Sequence, residues 1–490
     1  MRSVRLALHA TPQCTLLLLT SETAMAVLAV LTSPPLTVTI RNAVSTIYEN
    51  MRQPELFYTS RGLHAITRDR FNTHIKKLKF TSRTRKWRSS TKPTSSHFLI
   101  RSPLFSTQST TAMTDAMQHP LSGLWQPTQL QKLHYGSDSV KEHLVECLPN
   151  DNSKAFIITG LSLTTKTPLV KQVEQLLGSK HAGTFSKIGQ HAPVAQLDEA
   201  TEIIQRDSSV DSVISIGGGS PIDSAKAISY RLHDKSGKWL YHIAIPTTLS
   251  ASECTMMAGY TESNGVKTGV RGKELVPHVV LYDATFALHT PERLWTSTGM
   301  RAMDHAIELL YHPTASEMPA RWATLQAASS LFENLVKYKA DTKDEDVITK
   351  LQLAAFGSLG FLGCNIKGGL GLSHALGYAL GSPYNIPHGI TSCLTLGHVV
   401  KLKANDPNAA EQIARVLPFI GESVSGDKKK DAEKVGDRIL KLVKDLGLDS
   451  DFGNYEVGRD QVAIITQRAT GQESGNVYDA VEELVKGLYV

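Results

Sequence analysis

From about Leu121 onward, short continuous apolar runs alternate with stretches of helical spacing. Lys154-Ala-Phe-Ile-Ile-Thr-Gly160 is one run, Asp211-Ser-Val-Ile-Ser-Ile-Gly217 a second and His242-Ile-Ala-Ile-Pro246 a third. Runs this short and this apolar, bounded by Gly or Pro, are expected to be buried strands. Helical spacing is found from Thr167 to Leu177, and a helix is expected from Pro221 to about Leu232. Strands alternating with helices in this way imply βαβ units and a parallel sheet. After about Pro291 the pattern changes, and Ala320 to Tyr338, Asp344 to Gly357 and Asp431 to Leu446 are all helical in period. In the last of these Val435, Ile439, Leu442, Val443 and Leu446 share a face, and Gly447 ends it. The run Lys428 to Lys430 is expected to be a solvated turn ahead of that helix. The fold class is therefore α/β plus α: a Rossmann-like parallel-sheet domain over residues 113–288, then an all-helical domain over 289–490.

Residues 1–112 follow neither pattern. They hold one glycine, Gly62, and are rich in Ser and Thr, with basic clusters at Lys76, Lys77, Lys79 and Arg83 to Arg88. The apolar stretch from Leu16 to Val30 is interrupted by Ser21, Glu22 and Thr23, short of the ~20 apolar residues that a spanning helix needs. His9, Pro12 and Gln13 likewise interrupt a signal-peptide core. The expectation is an extension without packed structure. It is either an organelle transit segment, which would place the protein in mitochondria, or a start set upstream of Met113, which would leave it cytoplasmic.

Charge sharpens that division. The chain carries a formal +6. Residues 1–112 contain sixteen Lys or Arg against four acids, so the remaining 378 residues carry 36 basic and 42 acidic side chains. The body is acidic, which excludes a nucleic-acid footprint for it. A composition of 41% hydrophobic and 20% charged residues is that of a globular protein. The five cysteines (Cys14, Cys147, Cys254, Cys364, Cys393) contain no CxxC pair, and all are expected to be small buried residues.

Candidate chemistry starts at Gly217-Gly-Gly-Ser-Pro-Ile-Asp-Ser-Ala-Lys226, between a strand and a helix. Ser220 is expected as the N-cap, Pro221 at the first helical position and Asp223 at the third. Gly217, Gly218 and Gly219 would let backbone amides at the helix start reach a pyrophosphate. A ligand-free tight turn is the plainer alternative, but three successive glycines exceed what such a turn requires. A second polar turn, Pro246-Thr-Thr-Leu-Ser-Ala-Ser-Glu253, follows the next strand, so both would lie at the carboxyl edge where cofactors bind. In the helical half His305, His374 and His388 stand out by context: Gly299-Met-Arg-Ala-Met-Asp-His-Ala-Ile-Glu308, Gly371-Leu-Ser-His-Ala375 and Ile386-Pro-His-Gly389. Arg301 is one turn before His305 on the same face, whereas Asp304 is expected to point about 100° away from it.

These segments, in this order, resemble the iron-containing alcohol dehydrogenase superfamily, which shares its fold with glycerol dehydrogenase and dehydroquinate synthase. The likeness spans about residues 120 to 490. It implies a dinucleotide-binding domain, a helical catalytic domain, a cleft between them and a homodimer acting on a small molecule, with neither nucleic acid nor membrane as partner. It also implies that Gly217, Gly218, Gly219, Ser220, Asp223, Thr247, Thr248, Ser252 and Lys267 line NADH or NADPH. Metal-dependent relatives hold Fe²⁺ or Zn²⁺ through an Asp, a His four residues later and two more histidines. The histidines match here as His305, His374 and His388, but Arg301 stands at the aspartate position. A guanidinium there removes a donor and adds positive charge, which argues against a metal. The Arg-Ala-Met-Asp-His form and Ile188-Gly-Gln-His-Ala-Pro193 resemble the maleylacetate reductase branch, whose substrates are unsaturated oxo-dicarboxylates. There Arg301 would bind a carboxylate and the histidines would serve the proton. For the anionic cofactor and substrate that the resemblance implies, an acidic body needs local positive charge, expected at Lys226, Lys267, Arg301 and the helix end after Gly219. The acid with which relatives select NAD over NADP is replaced by Gly160. Two other readings stand beside this one: a metal-dependent alcohol dehydrogenase built on the same histidines, and an inactive nucleotide-binding protein.

Overall fold

The computed structural model describes residues 123–263 and 267–489, together with the backbone of four short strands nearer the start. The chain divides into two compact units, residues 1–100 and 101–490. In the first, Leu16–Ser21 pairs antiparallel with Ala24–Ala29, and Leu56–Thr59 with Gly62–Ala65. These two hairpins are what is described of residues 1–112. The apolar stretch after Cys14 gives two strands that pair with each other, one from either side of its polar interruption. Arg68, Asp69 and the basic clusters of residues 76–88 lie outside the described residues, as does Cys14.

In the second unit six strands form one parallel sheet: β1 (Lys132–Tyr135), β2 (Lys154–Thr159), β3 (His181–Phe185), β4 (Val210–Gly217), β5 (Tyr241–Pro246) and β8 (Val279–Tyr282). Their spatial order is β1-β8-β5-β4-β2-β3. A hairpin, β6 (Met257–Thr261) with β7 (Lys267–Arg271), lies outside the sheet. The continuous apolar runs are explained by burial on both faces, the normal state of a parallel sheet covered by helices. Ile157, Ile214, Ile216, Ile243 and Ile245 pack on one face with the helix Leu169–Leu177 (α1). Phe156, Ile158 and Val213 pack on the other with Val194–Gln205 (α2) and Gly219–Ser236 (α3). The two-residue period of a strand thus divides each run between two cores.

Everything after Tyr282 is helical or irregular. The centre of this half is α4 (Glu292–Leu310), buried at every position from Trp295 to Leu310. Around it pack α5 (Trp322–Ala340), α6 (Glu345–Leu359), α7 (Leu372–Leu380) and α8 (His388–Lys403), through a core that includes Met300, Met303, Ile307, Leu331 and Leu335. The helix α9 (Lys428–Asp445) begins three residues earlier than its apolar face suggests, so Lys428 to Lys430 are its first turn and not a preceding one. Asp427 makes this possible, because its carboxylate accepts the amides of Lys429 and Lys430 and offsets three cations at the positive helix end. Of the described cysteines, Cys147, Cys254 and Cys393 are buried as expected. Cys364 is only half-buried, its thiol donating to the Pro127 carbonyl at 3.1 Å. Among the described residues no helix is long and apolar enough to cross a membrane.

Candidate active site

The glycine turn sits at the carboxyl end of β4, in the middle of the sheet. Gly217 has φ +138°, where only glycine is unstrained, and a Cβ there would come within 2.9 Å of the Pro221 ring. A side chain on Gly218 would meet Thr248 at 3.1 Å. The turn is thus kept bare by its neighbours, and the first amides of the 18-residue helix α3 open beside it. These features fit a dinucleotide pyrophosphate. The helix starts earlier than its sequence suggests: Gly218 is the N-cap and no side chain caps it. Ser220 accepts the amide of His191 at 3.1 Å instead, and Asp223, displaced from the third position, accepts from the Ser252 hydroxyl and from the Gly259 amide at 3.2 Å.

The second turn lies alongside the first, with Thr247 donating its amide to the Gly217 carbonyl at 2.9 Å. Thr248 donates to Ser250 at 3.2 Å, and Ala251 holds a left-handed φ of 55°. Lys226 does not supply the charge expected of it. Its side chain is fully buried, and its ammonium donates to the carbonyls of Ser252 (2.6 Å), Thr255 (2.8 Å) and Met257 (3.0 Å). It fastens the second turn to α3 and is closed to an anionic ligand. The backbone of Lys267 opens β7 opposite Thr261; its side chain lies outside the described residues.

Four ionisable residues lie on the buried stretch of α4, from Trp295 to Leu310. Arg301 is 8% exposed, His305 5%, and Asp304 and Glu308 not at all. Polar groups on such a helix must find partners or serve a ligand. The Arg301 guanidinium lies 3.5 Å from Asp304 and 3.3 Å from the Ser392 hydroxyl. Asp304 also accepts from Ser392 at 2.6 Å and from Ser373 at 2.9 Å. Asp304 is one residue before His305 on α4, about 100° round the helix from it. Three residues on from Arg301 it falls about 60° short of a full turn, beside the arginine and facing α7 and α8.

His374, on the first turn of α7, brings its Nδ1 to 2.7 Å from Glu308 and 3.4 Å from Asp304. Glu308 also takes the amides of Gly371 and Ser373, both at 2.7 Å, and the Tyr311 hydroxyl at 3.1 Å. Gly371 allows this approach, since a Cβ there would sit 2.5 Å from the carboxylate. The rings of His305 and His374 are 4.9 Å apart. His388, the first residue of α8, is one turn before Ser392 and meets the His191 ring edge-on at 5.4 Å. The structure thus joins Arg301, His305 and His374 in one cluster and sets His388 at its margin, toward the nucleotide half.

The charges balance within the cluster. Burial presses Asp304 upward, but His374, Arg301 and the Ser392 hydroxyl outweigh it and hold the carboxyl below its ordinary value. Burial and then Arg301 press His374 downward; Asp304 and Glu308 outweigh them, and its pKa is raised. His305 has no such counter-ion, so burial, His374 and Arg301 keep it well below 6.5 and neutral. Nε2 of His374 and Nδ1 of His305 are both buried without a hydrogen-bond partner.

A metal does not fit this donor set. Asp304, Glu308 and His374 offer three atoms within 4.8 Å of one another, but Nδ1 of His374 and both oxygens of Glu308 are already hydrogen-bonded, which leaves Oδ1 of Asp304 as the one oxygen of the two acids without a hydrogen bond. The open nitrogens of His305 and His374 have no carboxylate turned toward them, and both rings feel the Arg301 charge. Glu308, Ser373 and Ser392 were not singled out in the sequence. Glu308 was detectable as a second acid, one turn after Asp304, on a helix whose neighbouring positions are apolar.

A parallel nucleotide-type sheet followed by a helical half bearing a buried histidine cluster defines a class of dehydrogenases. The iron-containing alcohol dehydrogenase model matches residues 130–284, and the Fe-containing alcohol dehydrogenase C-terminal model matches residues 295–489. A maleylacetate reductase of Rhizobium sp. (strain MTP-10005) is 35% identical over 300 residues, covering 60% of this chain and 77% of the relative. Alcohol dehydrogenase 4 of Schizosaccharomyces pombe is 27% identical over 80% of this chain and 97% of its own length. The crystal structure of maleylacetate reductase from Agrobacterium tumefaciens superimposes with a TM-score of 0.63 at 26% identity, covering 75% of this chain and 98% of that one. The chain is an oxidoreductase that belongs to the iron-containing alcohol dehydrogenase family, on its maleylacetate reductase-like branch.

Proposed function

We propose that the protein uses NADH or NADPH to reduce an unsaturated oxo-dicarboxylate such as maleylacetate, without a metal. The observation that carries this reading is the place of Arg301. Buried on α4 at the family's carboxylate-ligand position, its guanidinium is steadied by Asp304 and Ser392 beside the histidine pair. A fixed cation of this planar shape suits a substrate carboxylate, which it can grip through two parallel hydrogen bonds.

Gly217, Gly218 and Gly219 with the first amides of α3 would hold the pyrophosphate, with Thr247, Thr248 and Ser252 on the adjoining turn. A bound reduced nicotinamide supplies the hydride. Gly160, at the end of β2, presents no carboxylate to a ribose, and a Cβ there would already lie 3.2 Å from the Ile188 carbonyl. Neither NADH nor NADPH is turned away. Arg301 orients the substrate. Nδ1 of His374 is committed to Glu308, so its free Nε2 is the atom from which a proton can be delivered to the reduced product. His305 adjoins it as a neutral imidazole able to hydrogen-bond developing oxygen charge.

The retained histidines favour one second reading, a metal-dependent alcohol dehydrogenase acting on a small alcohol or aldehyde. Steady-state kinetics on maleylacetate beside a simple aldehyde, before and after chelation, distinguish the two. Aldehyde turnover that vanishes with chelator and returns with Fe²⁺ or Zn²⁺, with no turnover of maleylacetate, would replace the first reading by the second.

A further inference from the structure

The segment between β3 and α2 contains two successive non-glycine residues in the left-handed region, His191 (φ 64°) and Ala192 (φ 48°). Such conformations persist where the surroundings fix them, and they collect at functional sites. Here the fixing groups are identifiable. The His191 amide donates to the Ser220 hydroxyl at 3.1 Å, its carbonyl accepts from the Thr261 hydroxyl at 3.2 Å, and the Ala192 carbonyl accepts the Thr261 amide at 3.2 Å. Pro193 adds a bridge to Thr261. The loop is therefore tied at one end to the glycine turn and at the other to β6. Between these ties the His191 ring stands edge-on to His388 at 5.4 Å, with the two planes at 90°. His388 opens the helix whose next turn carries Ser392, the hydroxyl shared by Arg301 and Asp304.

We propose that His191 is a positioning residue that sets the His388 ring and links it to the phosphate turn. The strain at residues 191 and 192 aims the ring, while Ser220 makes the loop respond to what binds at Gly217–Gly219. This inference rests on the function proposed above, with His388 at the margin of the histidine cluster that serves it.

Two substitutions separate the ring from the backbone. His191→Gly keeps the left-handed turn, which glycine adopts freely, and removes the ring; His191→Phe keeps an aromatic edge against His388. With maleylacetate and NADPH, His191→Gly is expected to lower kcat about tenfold with KM for NADPH unchanged, and His191→Phe to recover most of that loss. An unchanged melting temperature in His191→Gly would exclude loss of folding as the cause. Wild-type kcat in His191→Gly, or a loss confined to KM for NADPH, would overturn the inference. If the wild-type protein reduces no carbonyl substrate, the proposed function fails by itself. The positioning role is then read from carbethoxylation of His388 by diethyl pyrocarbonate, mapped by mass spectrometry. The rate should be several-fold faster in His191→Gly, and equal rates would reject the contact.

Discussion

Nδ1 of His374 lies 2.7 Å from a carboxylate oxygen of Glu308, a charged hydrogen bond between two helices with both side chains buried. The contact fixes which imidazole nitrogen is committed and which has no hydrogen-bond partner. Glu308→Gln keeps the shape but removes the charge, so kcat for the preferred carbonyl should fall about 10- to 100-fold, the usual effect of losing a partner that orients a catalytic histidine. KM for NADPH, set at the distant glycine turn, should stay as in the wild type. Equal kcat in the variant would show that the bond serves packing alone.

Arg301 is expected to select the substrate. Arg301→Lys preserves the charge and loses the two-pronged geometry, so KM for maleylacetate should rise about tenfold or more while turnover of a simple aldehyde changes little. Parallel saturation curves for the two substrates would read this directly. An equal effect on both would remove Arg301 from substrate binding.

Gly217→Ala should weaken the cofactor. Its φ of +138° and the 2.9 Å approach to Pro221 force the turn to shift. Strain of about 1–3 kcal/mol corresponds to a rise in Kd of roughly 10- to 100-fold. Quenching of intrinsic fluorescence on NADPH titration measures it, and wild-type affinity in the variant would place the phosphates elsewhere.

Glu253 makes a pH-dependent prediction remote from the reacting groups. Its carboxyl is buried, and burial raises its pKa above 4.5 although the Tyr282 hydroxyl and Lys226 pull the other way. A carboxyl that binds its proton more tightly when folded gives stability at low pH that is lost as pH climbs from the unfolded value through the folded one. Glu253→Gln cannot titrate. Its thermal stability should therefore gain on the wild type as pH rises from 4 to 7, by about 1 kcal/mol or more at the upper end. A constant difference across that range would contradict the assignment.

Much of this was legible in the chain because it depends on local signals. The β2, β4 and β5 runs are apolar at most of their buried positions, and Gly217 and Gly218 stand where a side chain would press on Pro221 and Thr248. His305, His374 and His388 were recognisable from their surroundings. What was not legible depends on contacts between distant segments. Ser220 looks like an N-cap until the His191 amide, 29 residues earlier, takes its hydroxyl. Lys226 looks like an anion-binding cation until carbonyls near residue 255 close around it. The partners of Asp304 come from α7 and α8, which its position beside His305 on α4 does not reveal.

The most direct measurement is oxidation of NADH or NADPH by maleylacetate, followed with protein that has been stripped by chelator and checked for residual metal. A site built on Arg301 and His374 predicts that turnover persists in the stripped protein, exceeds that of a simple aldehyde and does not rise when Fe²⁺ or Zn²⁺ is added. Loss of activity on stripping, restored by either ion, would contradict it.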